Sequence, residues 1–493
     1  MPRGSASCAV TLVNEPFFRE ILRSCCMGRI AWSSVCYPIG LLLLLGSCQT
    51  VFGQQEGDDL GGRVAFAEEA TGAIVDMEPQ LTDTEQRLVE LEKMVKDLQA
   101  KAAKKTLPSV TINGVFQADA GWIQQDAASR QKYGDIQDGA DFRRARLSAK
   151  GSVTETTNYF FQMDFGFFGR PTFTDVWVEQ TQVPLLGNVR IGQWKQPFSL
   201  EVVSSFRYTT FMERSSLFQP FTPFRHMGIG FYDHTEELDA TWAASVFRSG
   251  QDQFGGTLTD DGGWGTAERL TILPMWLEDG QRYLHIGAGH FFNAPGDETI
   301  NFRTIPEFYI GANGPGAVGT SGQAVPGGAN GTPFFLATGN LNVSSYNVVG
   351  SELLWVDGPI SLQSEAMVTM CDFQGQSCAL PGVYAQAGWF LTGEHRPYDR
   401  KQGTIDRVIP KENFGYNAAG GSGAWEVATR FSWLDLSDHD IKGGQLTDWT
   451  AGVNWYWNPY TKLVFNYVHS MANVSGSPQS QTDMFGLRAQ VDF

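Results

Sequence analysis

The chain has 493 residues and a formal net charge of -17 at pH 7, and 18% of its residues are charged and 13% aromatic. The negative charge excludes the basic footprint that nucleic-acid binding requires, and soluble proteins usually contain about 25% charged residues. Beyond residue 45, no run approaches the ~18 apolar residues of a membrane-spanning helix. A mean hydropathy of -0.21 with 34 Phe and 14 Trp instead favours membrane-spanning strands, which are polar on one face and apolar on the other.

Residues 1–53 are predicted to be a secretory signal peptide. Leu41–Leu45 is a short apolar run, too short for a membrane anchor, and the small residue Gly53 closes a segment that a signal peptidase could cleave. A signal peptide of ordinary length would begin at Met27, which makes Met27 an alternative start. A second alternative is lipoprotein processing at Cys48.

Two different segments follow the signal peptide. Residues 54–80 are acidic, contain glycine and lack periodicity, which predicts a flexible spacer. Residues 81–107 are predicted to form a short coiled-coil helix, because apolar residues recur every seven positions between charged and amide residues. The predicted seam consists of Leu81, Leu88, Val95 and Ala102, with Leu91 and Leu98 in its second position. An isolated amphipathic helix is the alternative, but a helix of this length is marginal in water, so self-association is favoured.

Residues 108–493 are predicted to form an all-β domain. The final stretch, Phe485–Phe493, alternates between apolar residues on one strand face and polar or small residues on the other, and several other segments do the same. Tight turns at Asn458–Tyr460 and Asp357–Pro359 contrast with long glycine-rich segments, which we place on the opposite side. These long segments are residues 251–265, 292–340 and 393–423. The asymmetry predicts a transmembrane antiparallel β-barrel. A β-propeller is disfavoured because no repeat near 40 residues is present.

Several stretches resemble the phosphate-selective porin O and P family. They are Asp141–Gly151, Gly192–Glu201, Phe211–Arg214, Gly423–Glu426, Leu434–Leu436, Asn454–Pro459 and Gly486–Phe493. The resemblance implies a homotrimer of barrels with about sixteen strands each, located in the outer membrane of a Gram-negative-type cell and surrounded by outer-membrane lipid. It implies a pore narrowed by an inward-folded loop. It also implies that Phe493, at the end of the last strand, is the signal that the barrel-insertion machinery recognises.

Basic side chains are predicted to line the inside of the barrel as an anion path. Arg144, Arg146 and Lys150 alternate with apolar residues, so they share one strand face. A charge on the lipid face at mid-membrane would cost about 2–4 kcal/mol, so this face points inward. Further cations on the predicted path are Arg190, Lys195, Arg430, Lys462 and Arg488. Arginine suits phosphate well, because its planar fork can bond two oxygen atoms.

The segment Ser199–Phe231 is predicted to be the inward-folded constriction loop, because it is too long for a turn. It carries Arg207, Arg214 and Arg225 among aromatic residues and prolines, and it contains no lysine. Alternatively, these arginines pair with carboxylates of the loop and the wall and hold the loop in place. Strand parity predicts inward carboxylates at Asp164, Glu426 and Asp492, which can pair with inward cations and set the position of the loop.

Cys371 and Cys378 are the cysteines beyond the signal peptide, and their short spacing suits a loop disulfide in an oxidising compartment. A metal site needs more ligands than two cysteines. The histidines have no metal-ligand spacing, and no catalytic motif occurs. We therefore expect no enzyme activity, no metal and no cofactor.

The function predicted from the sequence is passive diffusion of small anions, with phosphate or polyphosphate as candidates, through an Arg/Lys-lined pore. The alternative is a general or weakly selective porin whose coiled coil tethers the outer membrane to the cell envelope.

Overall fold

The structure is a computed structural model, and it describes residues 87–96, 106–166, 172–249, 262–310, 332–416 and 420–493. The chain separates into two compact units, Met1–Leu98 and Gln99–Phe493. None of the described helices has the length and apolar character needed to cross a membrane.

The second unit consists mainly of strands. In chain order the strands are β1 (Thr111–Gln125), β2 (Gly139–Ser152), β3 (Thr157–Asp164), β4 (Thr172–Val183), β5 (Gly187–Lys195), β6 (Arg225–His234), β7 (Ala240–Arg248), β8 (Trp264–Leu277), β9 (Arg282–Ala294), β10 (Thr299–Ile300), β11 (Arg303–Thr304), β12 (Leu336–Ala337), β13 (Leu341–Asn342), β14 (Tyr346–Asp357), β15 (Ile360–Phe373), β16 (Gln376–Phe390), β17 (Tyr398–Asp399), β18 (Thr404–Ile405), β19 (Ala424–Asp438), β20 (Ile441–Asn458), β21 (Thr461–Asn473) and β22 (Ser480–Asp492). Short helices occupy Ala127–Tyr133, Leu200–Val203 and Phe218–Phe221, and a 3-10 turn occupies Glu278–Gly280.

Sixteen strands form a closed antiparallel barrel in the order β1 to β9, β14 to β16 and β19 to β22. The barrel closes where β1 pairs with β22, so that no sheet edge remains unpaired. Three small two-stranded sheets, β10–β13, β11–β12 and β17–β18, are formed by segments that connect barrel strands and are not part of the barrel sheet. The closed antiparallel barrel confirms the predicted fold of this unit.

Alternation along the strands separates a lipid-facing side from an inner side. In β2, Leu147 is exposed while Arg144 and Arg146 are buried, and in β22, Leu487 and Val491 are exposed while Arg488 is buried. This burial agrees with an inward orientation of Arg144, Arg146 and Arg488, whereas Lys150 of β2 is exposed, and the pore-lining role of all four stays a prediction. Exposed Phe, Ile, Leu and Trp side chains recur on the outer face of most other strands, as a bilayer requires.

The two ends of the barrel differ. We call the end where β22 finishes the terminal rim, and the opposite end the loop rim. Turns at the terminal rim are mostly short, as at residues 358–359 and 459–460, whereas residues 196–224 and 295–345 leave from the loop rim. Residues 391–423, which connect β16 to β19, leave from the terminal rim. The prediction that grouped this segment with the long loops of the opposite side is wrong.

Residues 196–224 form the connection between β5 and β6. The predicted constriction loop began at Ser199 and ended at Phe231, but β6 starts at Arg225, so Arg225 belongs to the wall. Loop residues such as Phe198, Leu217 and Phe221 are buried against inner-wall side chains. The segment therefore packs against the inner wall. We keep the name constriction loop for residues 196–224, and its narrowing of a pore stays a prediction.

Part of the N-terminal region is described. Residues 87–96 are helical and all their side chains are exposed, including Leu88, Leu91 and Val95. The structure supports a helix here but not the association of that helix with another, so the coiled coil of residues 81–107 stays a prediction. The signal peptide 1–53, with its alternatives at Met27 and Cys48, and the spacer 54–80 lie outside the described residues.

Candidate functional site

Two arginines of β2 face the interior and are held by polar neighbours. Arg146 donates to Asp164 of β3 at 2.6 Å, and Arg144 donates to Gln117 of β1 at 2.8 Å. Both guanidinium groups lie 4.6 Å from the ring centre of Phe206, which belongs to the constriction loop. Stacking on an aromatic face stabilises a cation further when water is excluded. These arginines therefore fix the loop against the wall.

Arg488 of β22 joins the wall to the constriction loop. It donates to both oxygens of Asp119 at 2.7 and 2.6 Å and to Glu213 at 2.8 Å. Glu213 also accepts from Arg143 at 2.8 Å. Burial alone would raise the pKa of Glu213, but Arg143, Arg144 and Arg488 lower it far below its ordinary value. Glu213 is therefore ionised and ties the loop to the barrel.

Arg430 of β19 is the centre of a buried network and is 1% exposed. Its Nε donates to Glu307 at 2.7 Å, its Nη1 donates to Glu201 at 3.0 Å, and its Nη2 donates to the carbonyl oxygen of Glu213 at 3.0 Å. The network thus joins the wall to the constriction loop and to the inward segment that contains Glu307. Every nitrogen of this guanidinium is engaged, so Arg430 is a structural link in this conformation.

The two predicted lysines are engaged by the loop backbone. Lys195 donates to the carbonyl oxygens of Val202, Val203 and Ser204 at 2.7, 2.9 and 2.8 Å. Lys462 donates to the carbonyl oxygen of Thr209 at 3.0 Å. An ammonium group carries three donors, and Lys195 uses all of them here. Both lysines thus satisfy carbonyl groups of the loop and hold the loop against the wall.

The loop arginines differ in how firmly they are held. Arg214 donates to the carbonyl oxygens of Glu201, Val202 and Ser204, the first at 2.9 Å. The Nε of Arg207 lies 3.9 Å from a carboxylate oxygen of Asp492. Arg214 therefore shapes the loop, whereas Arg207 has a looser ion pair.

The remaining predicted cations lie on the wall. Arg225 donates to Asp175 at 2.7 and 3.0 Å, and Arg190 donates to Glu179 at 2.6 Å. Lys150, near the terminal-rim end of β2, is exposed. The inner surface is thus a mixture of opposite charges rather than a continuous row of free cations.

Several loop anchors were not predicted. Glu365 of β15 accepts from the backbone N–H groups of Leu200 and Glu201 at 3.0 and 2.9 Å, and Asn466 accepts from that of Met212 at 2.7 Å. Strand parity could have placed Glu365 inward, but its partner in the loop is 165 residues away in sequence. Sequence alone therefore could not assign this contact.

Residues 391–416 fold into the barrel from the terminal rim. Arg396 forms an ion pair with Glu426, and Arg407 forms one with Asp492. The backbone N–H of Ile405 donates to Ser204 Oγ at 3.1 Å, which brings this segment against the constriction loop. We call residues 391–416 the terminal-rim segment. Its contacts show that inward segments from both ends of the barrel meet inside it.

A cavity of about 240 Å³ lies between the wall of β4–β8, the constriction loop and the terminal-rim segment. The charged residues of its lining are Arg190, Lys195, Arg269, Lys401, Asp175 and Asp233. Four cations thus face two carboxylates. Trp194, Phe231, Tyr232 and Trp242 contribute apolar surface. The cavity is a candidate for part of the passage through the barrel.

Two of the cavity cations, Arg269 and Lys401, were not predicted. Arg269 donates to Glu352 at 2.9 Å and to the carbonyl oxygen of Gly403 at 2.8 Å. The side chain of Lys401 has no hydrogen bond or ion pair within the part of the chain that the structure describes. The basic run Arg396–Lys401 is a sequence signal that could have drawn attention to this segment.

Cys371 and Cys378 face each other as a cross-strand pair in the β15–β16 hairpin, and both are buried and free. A two-residue hairpin turn and the ends of the two strands connect these cysteines, and the disulfide between them stays a prediction.

The backbone N–H of Phe493 donates to the carbonyl oxygen of Gly114 at 3.1 Å, and the N–H of Gly114 donates to the carbonyl oxygen of Phe493 at 3.0 Å. The ring of Phe493 covers Gly114 so closely that a Cβ at this position would clash with it. The last residue is thus fixed to β1.

The family whose description is Phosphate-selective porin O and P matches residues 110–493. The chain belongs to this family. It is therefore an outer-membrane protein of a Gram-negative-type cell with the architecture of a diffusion channel, as predicted. The short terminal-rim turns place that rim in the periplasm and the loop rim outside the cell.

The porin is similar to Porin O of Pseudomonas aeruginosa, with 25% identity over 387 residues that cover 73% of this chain and 84% of that protein. It is also similar to an uncharacterized protein of Caulobacter vibrioides, with 24% identity over 78% of this chain and 74% of that one. Among solved structures it resembles an anion-selective porin from Comamonas acidovorans, with a TM-score of 0.46, 13% identity, and coverage of 78% of this chain and 99% of that one.

Proposed function

We propose that this porin lets small anions diffuse passively across the outer membrane, with phosphate and polyphosphate among its permeants. The observation that carries the proposal is the lining of the cavity between the constriction loop and the terminal-rim segment, where four basic side chains face two carboxylates and the side chain of Lys401 has no partner among the described residues. In a narrow aqueous passage, fixed cations offset part of the hydration that an entering anion loses.

The paired arginines also contribute to this proposal, although they are not free ligands. Arg190 and Arg269 keep their guanidinium groups at the cavity wall while Glu179 and Glu352 hold them in place. Lys195 adds a cation whose hydrogen bonds go to neutral carbonyl groups. Lys401 is the cation that can turn toward a passing anion, and we assign it the main contact.

The family name agrees with this proposal. We propose that the other predicted cations contribute to the positive interior, most of them by positioning the constriction loop. They are Arg144, Arg146, Arg207, Arg214, Arg225, Arg430, Lys462, Arg488 and Lys150. We also propose that the porin assembles as a homotrimer.

The test is the reversal potential of the purified porin in a planar bilayer under a KCl gradient. We expect a potential of the sign that chloride dictates, and block of the chloride current by added phosphate. Lys401→Gln should reduce the anion preference, whereas Lys132→Gln, the same change on the helix Ala127–Tyr133 at the loop rim, should not. A cation-selective wild type would contradict the proposal, and selectivity near zero would favour a general porin.

A second proposed role concerns the N-terminal region. Leu88, Leu91 and Val95 of the helix 87–96 are exposed and can be buried only against another surface. We therefore propose that residues 81–107 form a coiled coil between copies of this chain. In this proposal residues 1–53 are the signal peptide and residues 54–80 the spacer, and the coiled coil tethers the outer membrane to the cell envelope. Deleting residues 54–107 should detach the outer membrane from the rest of the cell envelope and leave the conductance of the porin unchanged. An outer membrane that stays attached in this variant would contradict the tethering proposal.

A further inference from the structure

The loop rim holds a cluster of metal-ligating groups that anion diffusion does not use. One ligand atom each from Cys378, Asp438 and His439 lies within 4.8 Å of the other two. Cys378 belongs to β16, Asp438 ends β19, and His439 is in the turn that leads to β20. The cluster therefore links the β15–β16 hairpin to the β19–β20 hairpin.

We propose that Cys378, Asp438 and His439 bind one zinc-like divalent cation at the outer mouth of the porin. Thiolate, imidazole and carboxylate are the three side-chain ligands of Zn²⁺. A thiolate in the set selects against Mg²⁺ and Ca²⁺, which take oxygen ligands. As the metal–sulfur bond forms, the thiol of Cys378 releases its proton to solvent, and no electron is transferred.

Contacts already present orient two of the three ligands. One oxygen of Asp438 accepts from the backbone N–H of Ala379, the residue after Cys378, at 2.8 Å. The other oxygen lies 2.9 Å from Nδ1 of His439. The carboxylate is thus held beside the thiol, and such supporting hydrogen bonds commonly fix the orientation of metal ligands.

Burial leaves an entry path for a cation. The side chain of Cys378 is buried, whereas the side chains of Asp438 and His439 are 30% and 49% exposed. His439 has φ of 50°, a left-handed conformation that a histidine can adopt in a tight turn. A cation can therefore arrive from the outside and take a fourth ligand from water.

The position of the cluster gives the metal a structural consequence. Cys378 packs in the same buried cluster as Leu436 and Ile441 of the wall and Leu336 and Leu341 of the inward segment 332–345. A cation that joins the two hairpins would hold the wall on which that segment rests. Cys371, opposite Cys378 in register, is the competitor, because a disulfide between the two would remove the thiolate.

The test uses the full-length mature porin, purified from outer membranes and titrated with Co²⁺ in detergent. Cobalt bound to a thiolate gives a charge-transfer absorption that carboxylate or imidazole ligands do not give. We expect one equivalent of Co²⁺ with this absorption, displaced by Zn²⁺. The absorption should disappear in Cys378→Ser and persist in Cys371→Ser.

Removal of even an outer-shell partner weakens metal affinity about 10–100-fold, so His439→Ala should weaken Co²⁺ binding at least tenfold. The matched control is His469→Ala, since His469 forms a similar 2.8 Å pair with Asp483 but is not in the thiol cluster. Folding of each variant is checked by its heat-dependent mobility in SDS gels. Absence of the thiolate absorption in folded wild type overturns the proposal, and so does mass spectrometry that finds Cys371 bonded to Cys378 in the protein from membranes.

Discussion

Replacing Arg430 with methionine separates two roles that a buried arginine can have in a channel. Sequence parity predicts Arg430 as a cation on the anion path, whereas the structure engages it with Glu307, Glu201 and the backbone of Glu213. If the structural contacts describe its role, Arg430→Met should mainly reduce the free energy of unfolding. If Arg430 is an anion ligand, the variant should mainly lose anion preference.

The expected size follows from what the substitution leaves behind. Glu307 and Glu201 would each lose a cation in a site where Arg430 is 1% exposed. Removing one partner of a buried ion pair costs about 3–5 kcal/mol, and because Glu307 keeps the hydroxyl groups of Ser432 and Thr450, we expect a value near the lower end. That corresponds to a folded-to-unfolded ratio roughly a hundredfold lower. Adding Glu307→Gln should recover about 1–2 kcal/mol, because one orphaned charge is removed.

The assay is denaturant unfolding in detergent micelles, followed by tryptophan fluorescence, with reversal potentials measured on the same preparations. Lys401→Gln is the matched comparison, because it removes a cavity cation that has no described partner. We expect Arg430→Met to lose stability and Lys401→Gln to lose selectivity. A structural role of Arg430 is refuted if Arg430→Met unfolds within about 1 kcal/mol of wild type and loses as much anion preference as Lys401→Gln.

Three further predictions concern the loop and the end of the chain. Arg143, Arg144 and Arg488 outweigh burial and lower the pKa of Glu213. The stabilising effect of ionised Glu213 should therefore be complete above the unfolded-state pKa of about 4.3 and be lost as pH falls below that value. The difference in free energy of unfolding between wild type and Glu213→Gln should thus be equal at pH 7 and near pH 6, and a difference that shrinks over this range would contradict the prediction. Arg207→Ala, Arg214→Ala and Arg225→Ala, measured one at a time, should each reduce the anion preference in reversal-potential experiments, and an unchanged potential in Arg207→Ala and Arg214→Ala would remove the loop from the selectivity mechanism, since Arg225 lies on the wall. Deleting Phe493 should lower the amount of porin in the outer membrane, as measured by surface labelling, because the bonds to Gly114 and the proposed insertion signal are lost together; normal surface levels would contradict this.

Strand parity predicted which side chains face inward but not what they contact there. Arg146 and its partner Asp164 lie on adjacent strands, and both were predicted to face inward. The partner of Arg430, Glu307, is 123 residues away on a connecting segment with no regular pattern, so its position depends on tertiary folding. Pairs within neighbouring strands can be anticipated from alternation, whereas contacts between the wall and an inward loop cannot.

The wrong side assigned to residues 391–423 comes from sorting the connections by length alone. Turns alternate between the two rims along an antiparallel barrel, so the rim of a connection depends on the number of turns before it and not on its length. One of these turns is Gln374-Gly375, where φ is 54° and 77° and two left-handed residues reverse the chain as in a tight hairpin. The spacing of Cys371 and Cys378 favours a disulfide loop and hides the hairpin turn between them. Recognising a hairpin there would have placed residues 391–423 at the terminal rim.

The meeting of inward segments from both rims changes how selectivity should be understood in this porin. Ser204 of the constriction loop bonds to Ile405 of the terminal-rim segment at 3.1 Å, and Lys195 fixes the carbonyl oxygen of Ser204 at 2.8 Å. A displacement of either segment therefore moves the other, together with the cavity that both line. Because Lys401 lies on the terminal-rim segment, its distance from a passing anion depends on contacts made by the constriction loop. The position of the cavity cations is thus set jointly by the two segments, and the charge of any single arginine on the wall is insufficient to define the passage.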